Sequence, residues 1–127
     1  MKSKMRSEIL APYMTNGDEG KEYGMFADMP LSVLQRLVDL GFVMMGEWGN
    51  CLGVEEMFLP FLKRNPLFTA HGYAGKAEEG EKPSINVEGV ERDAQLSKEE
   101  IIDFCNEFMR SADDVHISID YASCWYD

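Results

Sequence analysis

The spacing of apolar positions divides this chain into a first half with helical periods and a second half built largely on alternation. From about Lys4 to Met14, Met5, Ile9 and Tyr13 recur at helical intervals with Leu10 and Met14 beside them, predicting a helix that Pro12 shortens or bends. A second helix is expected from Leu31 to Leu40, introduced by Asp28 and by Pro30 at a first-turn position where a missing N–H costs nothing. Val33, Leu34, Leu37 and Val38 form its apolar stripe. Gly41 supplies the left-handed residue that closes many helices, and Phe42 can fold back on Leu37. A third helical stretch, Val54 to Lys63, offers Met57, Phe58, Phe61 and Leu62 and is interrupted by Pro60.

After Pro66 the period changes to two. Leu67 to Ala74, Ser84 to Glu91 and Val115 to Tyr126 alternate, and predict three strands. In the last, Val115, Ile117, Ile119, Tyr121 and Trp125 are expected on the buried face, with His116, Ser118, Asp120 and Cys124 on the wetter one. The first two strands, joined across Gly75 to Pro83, predict an antiparallel hairpin with a long acidic tip. Between the second and third stands Leu96-Ser97-Lys98-Glu99-Glu100-Ile101, the strongest local signal in the chain. Ser97 and Glu100 make a capping box, Leu96 and Ile101 a hydrophobic staple, and Ile101, Phe104, Cys105, Phe108 and Ala112 a stripe that can cover a sheet. Glu99, Asp103 and Glu107 line the opposite side, where like charges at this spacing repel by about a few tenths of a kcal/mol per pair.

These elements predict an α+β fold in one domain, residues 1–127. Residues 1–64 are mainly helical and residues 65–127 form a β-β-α-β unit, with helices covering one face of a small three-stranded sheet, mixed or antiparallel. No repeat or low-complexity tract interrupts it, and the polar stretch from Asn16 to Tyr23 joins elements rather than domains.

Composition adds bounds. With 127 residues and 45% hydrophobic content the chain can fold despite a net charge of −11. Its longest apolar run, Met57 to Leu62, contains Pro60 and falls far short of the roughly 18 residues a membrane-spanning helix needs. Ile9-Leu10-Ala11 behind the basic start is too short for a signal-peptide core, so a cytoplasmic protein is expected.

The charge is lopsided. Residues 1–64 carry nine acids against seven bases, whereas residues 65–127 carry fourteen against five. Such a field repels phosphate backbones and anionic membranes, disfavours direct nucleic-acid binding, and suits a basic protein partner. Glu99, Asp103 and Glu107 are the candidate docking carboxylates. Trp48, amid the methionines that crowd the first half, is the candidate apolar contact. Trp125 and Tyr126, near the end of the sequence, suit either an anchored final strand or a homodimer.

Candidate chemistry is sparse. Gly46-Glu47-Trp48-Gly49-Asn50-Cys51-Leu52-Gly53 lacks the Gly-Lys-Ser/Thr ending of a phosphate loop. Three cysteines without a C-x-x-C pair, and two separated histidines without an H-E-x-x-H spacing, imply no disulfide framework, no metal and no cofactor. One catalytic constellation remains. Cys51, just before a helix start where the dipole favours a thiolate, would serve as nucleophile with His71 or His116 as base and Asp120 as orienter, making a thiol-dependent hydrolase or transferase. The leading expectation is instead a small acidic, non-catalytic protein-binding or regulatory domain, with the thiol enzyme as its alternative.

Overall fold

A computed structural model describes residues 2–15, 23–76 and 83–127. The polar connections expected at 16–23 and 75–83 therefore lie largely outside the described residues.

The local signals act where they stand. Helix α1 (Lys2–Leu10) stops two residues before Pro12, which lies in a short 3-10 turn at Ala11–Tyr13. Helix α2 (Leu31–Asp39) follows Pro30 and closes on Gly41 at φ 85°. There the Gly41 and Phe42 amides donate to the carbonyls of Val38 and Leu37, a Schellman closure. The stretch from Val54 is continuous but in two registers. A π-helical turn (Val54–Phe58) precedes helix α3 (Leu59–Arg64), in which Pro60, having no N–H to donate, occupies the first turn. Helix α4 (Lys98–Phe108) begins with both capping-box bonds formed, from the Glu100 amide to Ser97 Oγ at 3.1 Å and from the Ser97 amide to Glu100 Oε1 at 2.8 Å.

The sheet corrects the sequence reading. Among the described residues it has five strands, not three, all antiparallel, in the order β1-β2-β3-β5-β4, with β1 Gly24–Met29, β2 Thr69–Ala74, β3 Ile85–Arg92, β4 Asp114–Ser118 and β5 Tyr121–Trp125. Strand β1 escapes the period-two pattern because its pairing with β2 shifts between Phe26 and Met29, an irregularity that includes Asp28 at φ 59° and brings Gly24, Phe26 and Met29 all inward. The single strand expected over 115–126 is a hairpin turning at Ile119 and Asp120. Ser118 pairs with Tyr121, so the alternation inverts after the turn. Ala122, Cys124 and Tyr126 are buried there, while Tyr121, Ser123 and Trp125 are only half-buried, the reverse of the expected faces for Tyr121, Cys124 and Trp125.

One face of the sheet meets the helices. Phe26, Ala70, Ala74, Ile85, Val87, Val90 and Ala122 belong to the same buried core as Leu34, Leu37, Phe58, Phe61, Phe104 and Phe108. Phe61 is its hub, with Phe108, Phe68 and Phe104 at ring-centroid distances of 4.8, 5.0 and 6.3 Å, tilted 69° to 84° toward edge-on packing. Tyr126 enters the same cluster, edge-on to Phe58 and hydrogen-bonded to Ser111, and so anchors the final strand. Among the described residues no helix contributes to the cleft on the opposite face, and that cleft holds the site.

Candidate functional site

The strand order leaves the uncovered face lined by residues far apart in sequence. His71 on β2, Glu91 on β3, Asp114 and His116 on β4, and Tyr121, Ser123 and Trp125 on β5 surround a cleft of about 440 Å³ that Met25, Phe26, Ala27 and Thr15 close on the β1 side. Ladder pairing sets these neighbours. Glu91 and His116 both pair with Ser123, and Asp114 pairs with Trp125.

The floor depends on a glycine. His71 pairs with Gly89 on β3, and its Nε2 reaches across to the Cys124 carbonyl of β5 at 2.8 Å. A Cβ on Gly89 would stand 1.8 Å from that carbonyl oxygen and 2.3 Å from His71 Nε2, so only glycine leaves the imidazole room to cross. Since a carbonyl only accepts, Nε2 carries the proton and Nδ1 is the acceptor of the neutral ring. His71 is 8% exposed and packs at right angles to Trp125, ring centroids 4.1 Å apart. Burial holds its pKa down at about 4, so the ring is neutral at physiological pH.

The rim is acidic and wetter. Tyr121 donates its hydroxyl proton to Glu91 Oε2 at 3.0 Å, and His116 Nε2 lies 3.3 Å from Asp114 Oδ1 with both side chains more than half exposed. Asp120, the expected orienter of His116, stands at the exposed hairpin tip and accepts from Ser118 Oγ at 2.9 Å; the carboxylate beside His116 is Asp114.

Both histidines thus share one cleft, and Cys51 is absent from its lining. The thiol is 1% exposed in the core on the helical side of the sheet, electrostatically within reach of Cys124 and Tyr126. Burial raises its pKa and outweighs the lowering by a backbone hydrogen bond at Gly53, opposite to the thiolate expected from the helix start. Cys124 is likewise buried, its pKa pushed up to about 12. No group of three or more His, Cys, Asp or Glu able to hold a metal occurs among the described residues.

The expected docking residues lie elsewhere. Glu99 is exposed on α4, whereas Asp103 and Glu107 are taken up by Arg64 of α3, each at 2.8 Å, with Asn65 Nδ2 on Asp103 at 2.7 Å. Arg64 and Asn65 thereby offset the i,i+4 repulsion and hold the Asp103 carboxyl below its usual range. Trp48 is half-buried, edge-on to Tyr126 at 6.4 Å. Sequence reasoning missed Glu91, Asp114, Tyr121 and Ser123 as site residues, and the interior strand glycine Gly89 is the signal that marks the spot.

The class so defined is an α+β domain with a five-stranded antiparallel sheet, helices on one face and a histidine-floored acidic cleft on the other. No protein family, no curated protein and no solved structure matches this chain. No helix of the described residues is long and apolar enough to cross a membrane.

Proposed function

We propose that this is a non-catalytic binding domain that docks a basic protein partner on the uncovered face of its sheet. The observation that carries the reading is the charge of the cleft. Its lining holds Glu91 and Asp114 beside a neutral buried histidine, with no Lys or Arg among the described residues, in a chain of net charge −11. Complementary fields of this kind accelerate encounter and select cationic partners. A buried, high-pKa Cys51 outside the cleft favours binding over thiol chemistry. The same reading assigns the protein to the cytoplasm, supported by three free cysteines.

The test is titration of the isotopically labelled protein with a mixed Lys/Arg peptide, followed residue by residue by NMR at low and high salt. Saturable shifts centred on Ser123 and Trp125 that fade as screening increases are expected. Shifts confined to Glu99 and its neighbours on α4, or no binding at low salt, overturn the proposal.

A further inference from the structure

We propose that the cleft takes a single arginine side chain of that partner, with the guanidinium held by Glu91 and Asp114 and donating one N–H to Nδ1 of His71. This inference rests on the docking reading and goes beyond it by naming the group recognised and the atom at the floor.

The argument starts from an acceptor left without a donor. His71 is more than nine-tenths buried, its Nε2 proton is committed to Cys124, and Nδ1 has no hydrogen-bond partner among the described residues. It is not fully enclosed either, and the space that His71 borders is the cleft. An acceptor that opens on a cleft takes water while the cleft is empty, and a ligand N–H can replace that water.

The remaining acceptors fix the kind of donor. The lining combines two carboxylates, Glu91 and Asp114, with the neutral imidazole of His71 and the apolar Trp125, Met25 and Phe26. A guanidinium meets this set. It is planar, always charged, weakly hydrated, and spreads five N–H donors over a fork, so it can serve carboxylates and a deeper nitrogen together while its faces lie on aromatic surface. An ammonium concentrates its donors at one strongly hydrated point and gives up more on entering an aromatic-walled site.

The experiment uses the full chain and three capped pentapeptides, Gly-Gly-X-Gly-Gly with X arginine, lysine or citrulline, titrated by NMR on the Trp125 indole and the His71 ring. Arginine is expected to saturate both signals, with lysine weaker by about tenfold or more, the loss of one charge-assisted hydrogen bond, and citrulline without effect. His71→Phe and Asp114→Asn are each expected to weaken arginine binding by about tenfold while the spectrum stays folded; Asp114 lies at the exposed rim, so that variant stands if His71→Phe does not fold. Equal binding of arginine and lysine, or arginine shifts that leave His71 untouched, overturns the arginine site while leaving docking of a basic partner intact. Failure of the mixed basic peptide as well overturns both.

Discussion

Adding one methyl group at Gly89 tests the geometry on which the cleft depends. In Gly89→Ala the new Cβ falls 1.8 Å from the Cys124 carbonyl oxygen, 2.8 Å from the carbonyl carbon and 2.3 Å from His71 Nε2. The imidazole can swing away, but the carbonyl belongs to the neighbouring strand, so β3 and β5 must part by more than an ångström. Overpacking of this kind costs about 1–3 kcal/mol. The lost bond from His71 adds about 1 kcal/mol, and a buried carbonyl left unpaired about 1 kcal/mol or more. A total of about 3–5 kcal/mol is expected, a large share of the roughly 5–15 kcal/mol that stabilises a domain. For a chain of this length that lowers Tm by about 10–20 °C. Two other glycines separate clash from strain. Gly46→Ala meets nothing within 4 Å and should change stability by less than about 0.5 kcal/mol. Gly41→Ala is equally uncrowded but sits at φ 85°, so only the left-handed strain of about 1–2 kcal/mol applies. Thermal and urea unfolding of the three variants gives the order directly. Were Gly89→Ala to unfold with Gly46→Ala, or to rank above Gly41→Ala, the crossing of His71 over β3 would be refuted.

Three further outcomes follow from the same geometry. His71 titrates at about 4 in the folded protein against an ordinary 6.5, so between those values the unfolded chain binds a proton that the folded one refuses. Its contribution is complete above the unfolded value and is lost as pH falls from about 6.5 to about 4, roughly 3 kcal/mol in all; urea unfolding of the protein and His71→Phe across that window should show stability falling more steeply with acid when the histidine is present, and parallel curves would contradict it. In the native protein Cys51 and Cys124 should resist iodoacetamide near neutral pH while the half-buried Cys105 reacts, read by peptide mass spectrometry; rapid labelling of Cys51 would restore the thiol-enzyme reading. Arg64→Ala should cost less than about 1 kcal/mol, because the Arg64 side chain is half in solvent, and the difference should vanish at high salt; a larger, salt-independent loss would mean that Arg64 packs rather than pairs.

What the chain announces in advance is what a few neighbouring residues decide among themselves. Ser97 and Glu100 need only three residues of separation to cap α4, and Gly41 with Phe42 needs only the last turn of α2 to close it. Strand β1 has no such local voice. Gly24, Ala27 and Asp28 are poor strand formers, and the irregularity at Asp28 spoils the alternation that would have offset them, so its pairing with β2 makes it a strand. The turn at Ile119 and Asp120 is silent for another reason. It carries no glycine or Asn-Gly pair, and Ile119, 72% exposed at the tip, continues the apolar alternation of β4.

Reading through that turn exchanges the two faces of everything after it, and the exchange hides the site. With the faces restored, Ser123 and Trp125 join His116 and Asp114 on the uncovered side, and Cys124 passes to the core with only its carbonyl within reach of His71. The remaining members come from β1, β2 and β3, whose order in the sheet no local pattern fixes. His71 and Cys124 meet only because β3 carries at position 89 a residue with no side chain. Gly89 lies where the β2–β3 register shifts, with His71 opposite Gly89 and Gly72 opposite Val87, and a strand glycine at such a place leaves a gap that another group can occupy. Here the occupant is an imidazole whose Nδ1 has no partner among the described residues, the atom on which the proposed arginine site rests.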